Sequence, residues 1–157
     1  SGLPEAWQLV ILGEGPEREA VLDEALRLGV SHRVHLPGFV ADPAAAIGLF
    51  DLFALSSDSE QFPISVVEAM AAGLAVAATD VGDVRAMLAP ANREFLVPVT
   101  DEGALARALA RLAGDARLRE AVGAANKARA RAEYDEAGMI AAYRAVYAGA
   151  MGRASFP

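Results

Sequence analysis

The sequence predicts an α/β fold with a doubly wound, mostly parallel sheet that is followed by a helical tail. Short apolar runs alternate with helical patterns up to Asp101, and only helical patterns follow that residue. Strands that alternate with helices are typical of parallel β-α-β units. The 157 residues fit a single domain, in which residues 114–157 form a tail that packs on the sheet.

The first half of the chain predicts two strands and two helices. The apolar run Trp7–Gly13 is typical of a strand buried on both faces. Pro16 opens a helix that Gly29 ends, because proline is tolerated in a first helical turn and glycine favours a helix end. A second strand is predicted at Arg33–Gly38, and Asp42 is the expected N-cap of the short helix after it.

The second half continues the alternation. A third strand is predicted at Leu52–Ser56, and Pro63 opens a helix that runs to Gly73. The elements expected after that helix are a strand at Leu74–Val81, a short helix at Val84–Leu88, a strand at Glu94–Val99, and helices at Glu102–Ala113, Ala116–Tyr134 and Glu136–Met151.

Composition excludes several classes of protein. A hydrophobic content of 54% supports a packed core, and a net charge of −7 disfavours a nucleic-acid partner. The absence of cysteine excludes disulfides and cysteine-based sites. His32 and His35 lack the neighbouring carboxylates that a zinc site would need, so no metal is expected. No apolar run approaches the ~20 residues of a membrane span, and we expect a cytoplasmic protein, or one peripheral to a membrane in its full-length form.

The glycine-rich loop after the first strand is a candidate ligand-binding loop, since ligands of open α/β sheets bind beyond the carboxyl ends of the strands. Gly13 and Gly15 allow close backbone approach to a phosphate or sugar, or they serve only a tight turn. A dinucleotide-dependent oxidoreductase is disfavoured, because Arg18 occupies the place of the third glycine and no acidic residue ends the second strand.

The most informative segment is the polar loop before Pro63 and the helix that follows it. The backbone N–H groups of Ile64 and Ser65 are expected to point out of the helix end, which suits a phosphate. Glu60 lies in the loop, and Glu68 either faces a polar cleft or is a solvated surface residue. The loop Thr79–Asp83 lines the same cleft or merely turns the chain. Nothing in the sequence sets Glu60 and Glu68 across a cleft of the glycosidase type.

The run SSDSEQFPISVVEAMAAGLAVAATDVGDVRAML, at residues 56–88, carries a resemblance to a known family. It resembles the nucleotide-sugar-binding half of retaining GT-B glycosyltransferases of group 1, or family 4, in which two glutamates are separated by seven residues. Glu60 and Glu68 hold that spacing. The segments GEGPE, HRVHLPGFV and EFLVPVTDEGALARAL are similar to the family's other motifs and stand in the same order.

The resemblance implies a Rossmann-like fold and transfer of a hexose-type sugar from an NDP-sugar donor to an unknown acceptor, with retention of configuration and without a metal or other cofactor. Glu68 would hold the ribose hydroxyls, and Glu60 would be the catalytic residue that contacts the donor sugar. The remaining donor-binding residues would be Gly13 and Gly15 near the donor, Phe39 and Val40 beside the base, Gln61 and Phe62 at the sugar hydroxyls, and Ile64 and Ser65 at the diphosphate.

Three residues depart from the family pattern. Gln61 and Asp83 replace glycines, and Ala86 stands where a glutamate is common. Gln61 places a side chain beside the sugar pocket and is therefore expected to affect donor choice. The resemblance implies a bacterial glycosyltransferase. The alternative is a non-catalytic GT-B-like module that binds a nucleotide or another protein.

The resemblance also implies parts that this sequence lacks. These are a central first strand with a basic loop and an N-terminal acceptor-binding domain, so we expect the isolated chain to be inactive. The missing strand predicts a gap in the sheet, filled by re-pairing, by a strand swapped from another copy or by another segment of chain. Apolar residues of the last helix are expected to be exposed and to favour a homodimer, namely Met139, Ile140, Tyr143 and Tyr147.

Overall fold

The computed structural model describes residues 3, 4 and 6–154, and within them it shows the predicted alternation of strands and helices. In chain order the elements are β1 (Leu9–Leu12), α1 (Arg18–Arg27), β2 (Val34–Gly38), α2 (Pro43–Ile47), β3 (Leu52–Leu55), α3 (Ile64–Ala72), β4 (Ala75–Thr79), α4 (Val84–Met87), β5 (Leu96–Val97), α5 (Glu102–Gly114), α6 (Ala116–Glu133) and α7 (Glu136–Ala150). Short 3-10 helices at Ser31–Arg33 and Pro90–Phe95 interrupt this order. The α/β fold is confirmed.

The strands form two separate sheets. β1 pairs with β2 in parallel, and β4 lies between β3 and β5 in a second parallel sheet. No backbone ladder joins the two sheets in the part of the chain that the structure describes. The predicted gap is therefore confirmed, and re-pairing of all five strands into one continuous sheet is wrong for this chain.

The prediction that the first strand is buried on both faces is wrong. Leu9 is 48% exposed and Ile11 is 39% exposed, whereas Val10 and Leu12 on the other face are half-buried. Parallel strands are buried on both faces only where helices cover both sides of the sheet. The two-stranded sheet lacks a layer over Leu9 and Ile11.

The hydrophobic core is built around β4, whose five residues are all buried. One face of β4 packs with α3 and α4 in a cluster that includes Val76, Ala78, Met70 and Val84. The other face packs with α5 and the end of the second 3-10 helix, and its cluster includes Ala75, Ala77, Phe95 and Leu112. β4 thus has the two covering layers that β1 lacks.

The fifth strand is shorter than predicted. Only Leu96–Val97 is extended, because Pro90–Phe95 winds into a 3-10 helix where the sequence predicted the strand to begin. The Asn92 side chain takes over the pairing with β4 there, accepting from the Val76 N–H and donating to the Val76 carbonyl.

Aspartate side chains begin the helices on the polar surface. Asp42 accepts a hydrogen bond from the Ala45 N–H, which confirms it as the N-cap of α2. Asp101, Asp115 and Asp135 make the equivalent bond at the starts of α5, α6 and α7. Each cap satisfies a backbone donor that the helix itself leaves free.

The last two helices differ in burial. α6 packs on α3 and on β4, and it contributes Val122, Asn126 and Ala130 to the interior. α7 has only Ala148 buried among its described residues. Met139, Ile140, Tyr143 and Tyr147 are exposed, as expected. In the described ranges, no helix is both long and apolar enough to cross a bilayer.

Candidate functional site

The residues predicted to bind a ligand lie at the carboxyl ends of the parallel strands. The loop after β3, residues 56–63, leads directly into α3 and carries Glu60. The loop after β4, residues 80–83, lies beside it and leads into α4. Ligands of open α/β sheets bind at this edge, where helix N-termini also point.

The N-terminus of α3 presents free backbone donors. Pro63 is buried and extended, with φ −69° and ψ 107°, and its carbonyl accepts from the Val66 N–H at 3.0 Å. Within the described residues, the N–H groups of Ile64 and Ser65 have no acceptor. Two adjacent N–H groups at the positive end of a nine-residue helix form an arrangement suited to an anion.

Glu68 lies one turn into α3, on the side of the helix away from the core. Val66, Ala69 and Met70 occupy the buried side and are fully buried. Glu68 is half-buried, and its carboxylate has no hydrogen bond or ion pair with any described residue. A carboxylate in this state keeps its acceptor oxygens available to hydroxyl groups of a ligand.

Glu60 is half-buried and is held at one oxygen. The Ser57 Oγ donates a hydrogen bond to the Glu60 Oε1 at 2.8 Å, within the loop itself. The Thr79 Oγ1, at the end of β4, donates to the Ser57 carbonyl oxygen at 2.6 Å. The geometry therefore links the last residue of a buried strand to the carboxylate of Glu60 through one serine.

The loop after β4 packs directly against the loop that carries Glu60. The Asp83 N–H donates to the Gln61 carbonyl at 2.8 Å. Gly82 has a φ of +50°, and a Cβ placed on it would lie 2.5 Å from the carbonyl oxygens of Glu60 and Gln61. Only glycine allows this approach without moving one of the loops.

The aromatic ring of Phe62 contacts the end of α6. It meets the Tyr134 ring edge to face, with centroids 5.8 Å apart and an interplanar angle of 73°. Phe62 is still 42% exposed, and Gln61 beside it is exposed. The backbone of Gln61 is fixed by the loop after β4, while its side chain extends to the surface.

The other predicted ligand-binding residues lie at the carboxyl ends of β1 and β2. Gly13 has a φ of +112°, and its N–H donates to the Gly38 carbonyl at 2.9 Å. A Cβ on Gly15 would contact nothing, Phe39 is 76% exposed and Val40 is half-buried. No hydrogen bond joins this group to the segment from Glu60 to Glu68 within the described ranges. The predicted residues thus form two groups, each at the carboxyl ends of the strands of its own sheet.

Two arginines that contact these strands and loops were not among the predicted site residues. The Arg18 Nη1 donates to the Leu36 carbonyl at 3.0 Å, which places a guanidinium beside the middle of β2. Arg85 pairs with Asp80 in the loop after β4, with 2.9 Å between its Nε and Oδ2, and this bond raises the pKa of Arg85. The sequence signals were available, since Arg18 stands at a glycine position and Arg85 follows the strand-end loop.

A small polar cleft lies at the carboxyl ends of β3, β4 and β5. It is lined by Ser56, Asp58, Thr79, Thr100, Asp101, Glu102 and Leu105. In the described part of the chain, no three histidine, aspartate or glutamate side chains are grouped as metal ligands would be.

The chain is similar to sugar-transferring enzymes over most of its length. Residues 3–115 match the family model described as "Glycosyl transferases group 1". A 2-deoxystreptamine N-acetyl-D-glucosaminyltransferase of Streptomyces fradiae is 33% identical over 118 residues, which are 74% of this chain and 27% of the relative. A phosphatidyl-myo-inositol mannosyltransferase of Mycobacterium leprae is 37% identical over 116 residues, which are 72% of this chain and 30% of the relative. The chain thus spans less than a third of either relative.

Solved structures share the fold. HepE of Anabaena in complex with UDP superimposes with a TM-score of 0.77 at 24% identity, covering 85% of this chain and 38% of that protein. A sucrose-phosphate synthase of Thermosynechococcus elongatus gives 0.78 at 25% identity, covering 90% and 39%. The C-terminal domain of the LpcC glycosyltransferase of Francisella tularensis gives 0.74 at 23% identity, covering 83% and 71%. Together with the matched family model, these similarities show that the chain belongs to the group 1 glycosyltransferases and has their GT-B type of α/β domain.

Proposed function

We propose that this chain is the donor-binding domain of a retaining glycosyltransferase, which takes a hexose-type sugar from an NDP-sugar. The observation that carries the proposal is the start of α3, where two free N–H groups and an unpartnered carboxylate lie within one helical turn. The N–H groups of Ile64 and Ser65 would hold the diphosphate, and Glu68 would accept from the ribose hydroxyls. Solved relatives bound to UDP and UDP-glucose support a nucleotide-sugar donor.

The remaining roles are those that the resemblance to the family implies. Glu60 would act on the donor sugar as the catalytic residue, with the backbone N–H groups of Gln61 and Phe62 at the sugar hydroxyls. Gly13 and Gly15 would pass close to the donor, and Phe39 and Val40 would border the base. All of them lie at the carboxyl edge of the strands, where this fold binds ligands.

The diphosphate charge would be neutralised by the N-terminus of α3 and by cationic side chains rather than by a metal ion. The dipole of α3 and its free N–H groups stabilise negative charge that develops on the leaving diphosphate. Retention of configuration is inferred from the resemblance of the Glu60–Glu68 motif to retaining enzymes, and a hexose-type sugar is consistent with the glucosaminyl and mannosyl transferases among the relatives.

The acceptor would be bound by a second domain, since the match covers only 27% and 30% of the two relatives. We therefore propose that transfer requires an N-terminal acceptor-binding domain and that these 157 residues alone do not turn over.

The test measures nucleotide affinity of the full-length protein by calorimetry with UDP, GDP and ADP. We expect one nucleotide to bind, and we expect Glu68→Ala to weaken it about tenfold or more, because a hydrogen bond to a charged group contributes about 1.5–3 kcal/mol. Glu120→Ala, which removes the same charge from an exposed site on α6, is the matched control and should leave the affinity unchanged. Equal affinities of the Glu68→Ala protein and wild type, or no binding of any nucleotide, would refute the proposal.

A further inference from the structure

The loop that carries Glu60 contacts the end of β4 and the loop after β4 at three points. The Thr79 hydroxyl binds the Ser57 carbonyl, the Asp83 N–H binds the Gln61 carbonyl, and Gly82 lies against the carbonyl of Glu60. Thr79 is 5% exposed and belongs to the buried strand β4, so this support is anchored in the core. The backbone around Glu60 is therefore fixed before any ligand binds.

The Glu60 side chain is fixed separately, by Ser57. The Ser57 hydroxyl can donate one hydrogen bond, and it donates that bond to the Glu60 Oε1 at 2.8 Å. The other carboxylate oxygen, Oε2, has no partner among the described residues. One oxygen of Glu60 is thus occupied by the protein, and the second is left for a ligand.

We propose that Ser57 is a positioning residue that orients Glu60 toward the donor sugar, with Thr79 holding Ser57 in place. This inference rests on the proposed function, because it assumes that Glu60 meets the sugar of an NDP-sugar. A free glutamate side chain samples many rotamers, and ordering it on binding opposes affinity. The Ser57 hydrogen bond removes that freedom beforehand, so its benefit appears only with ligands that reach Glu60.

The proposal predicts different effects on binding of the nucleotide sugar and on binding of the nucleoside diphosphate. Ser57→Ala is expected to weaken binding of the nucleotide sugar about tenfold, the usual size of one hydrogen bond to a charged group, and to leave binding of the nucleoside diphosphate unchanged. Ser57→Thr keeps a hydroxyl at the same position and should restore the affinity. Ser59→Ala removes an exposed hydroxyl of the same loop and is the matched control.

The measurement is calorimetry on the full-length protein with UDP against UDP-glucose and UDP-N-acetylglucosamine, and with GDP against GDP-mannose. The set contains wild type, Ser57→Ala, Ser57→Thr, Ser59→Ala, Glu60→Ala and the Ser57→Ala/Glu60→Ala double variant. If Ser57 acts through Glu60, the double variant binds no more weakly than Glu60→Ala alone. Thermal unfolding of each variant checks that the loop change has not reduced the folded fraction.

Several results would overturn the inference. Ser57→Ala could weaken binding of the nucleoside diphosphate as much as binding of the nucleotide sugar. Its effect could add to that of Glu60→Ala. Finally, Ser57→Ala and Glu60→Ala could both leave binding of the nucleotide sugar unchanged. Each of these results removes the positioning role. Failure of the proposed function is distinguishable, because it appears as nucleotide binding that does not depend on Glu68.

Discussion

At the scale of single residues, two glycines determine how closely α6 approaches the start of β4. Gly73 ends α3 with a φ of +87°, which favours glycine. A Cβ on Gly123 of α6 would collide with the Gly73 carbonyl oxygen, and it would also lie 3.4 Å from the Ala75 nitrogen. The helix and the strand are therefore packed backbone to backbone at this point.

This close approach predicts a large effect of one methyl group. Gly123→Ala should lower the free energy of unfolding by about 2–3 kcal/mol or more, because overpacking forces backbone to move. Gly114→Ala at the end of α5 is the matched control, since a Cβ there meets no atom, and it should be neutral or slightly stabilising. Urea unfolding measures both. Equal stability of the two variants would show that α6 does not approach β4 this closely.

The sequence allowed the site residues to be predicted only in part. The start of the helix after Pro63 was predicted from the local pattern, whereas the roles of Glu60 and Glu68 came from the resemblance to the family. The hydrogen bond from Ser57 to Glu60 depends on side-chain rotamers. The hydrogen bond from Thr79 to the Ser57 carbonyl depends on the pairing of β3 with β4, which brings the two segments together. No local pattern carries that information.

At the scale of elements, two buried asparagines join the edge of β4 to α6. Asn92 makes both backbone hydrogen bonds of Val76, as a neighbouring strand would. Asn126 donates to the carbonyl of Leu74 and to the Asn92 Oδ1, and it accepts from the Ala89 N–H. Both asparagines are fully buried, so these bonds satisfy groups that water cannot reach.

Removing one of these amides should therefore be costly. Asn92→Ala is expected to lower the free energy of unfolding by about 2–4 kcal/mol, because it leaves the buried N–H and carbonyl of Val76 without partners. Gln8→Ala, which loses an exposed hydrogen bond to His35, is the control and should change stability by less than about 0.5 kcal/mol. Chemical denaturation of the two variants makes the comparison. A loss at Asn92 no larger than at Gln8 would contradict the network.

Element positions were predicted well where pattern and packing agree. The helices after Asp101 and the N-cap at Asp42 occur as expected. The strand predicted at Glu94–Val99 is reduced to Leu96–Val97, because Glu94 and Phe95 belong to a 3-10 helix in which the Asn92 side chain pairs with β4. An apolar run indicates burial, but it does not say which hydrogen bonds accompany that burial.

At the scale of the whole molecule, burial is concentrated in the middle of the chain. Both core clusters are formed by residues between Ile47 and Tyr134. The β1–α1–β2 unit and α7 contribute no member to either cluster, and both expose large apolar residues. The guanidinium of Arg119 over the Trp7 ring, 5.1 Å from its centroid, is one contact that joins the first segment to α6.

This distribution predicts uneven stability within one chain. Amide hydrogens of β4 should exchange about a hundredfold more slowly than those of β1, since local opening of β1 breaks few buried contacts. Hydrogen exchange followed by NMR on the isolated chain measures this directly. Uniform protection of β1 and β4 would mean that the two sheets unfold as one unit.

The gap between the sheets shows where sequence reasoning succeeded and where it failed. The missing strand was inferred from the resemblance to the family, and the separation of β1–β2 from β3–β4–β5 confirms the gap. The exposure of Leu9 and Ile11 was not predicted, because an apolar run indicates a strand but does not say which helices cover it.

The central claim is that the start of α3 binds the donor, and a crystal structure of the full-length protein with its nucleoside diphosphate tests this most directly. We predict the diphosphate oxygens within hydrogen-bond distance of the Ile64 and Ser65 N–H groups, with the Glu68 carboxylate on the ribose hydroxyls. A nucleotide bound elsewhere, or one whose ribose lies beyond reach of Glu68, would contradict the claim.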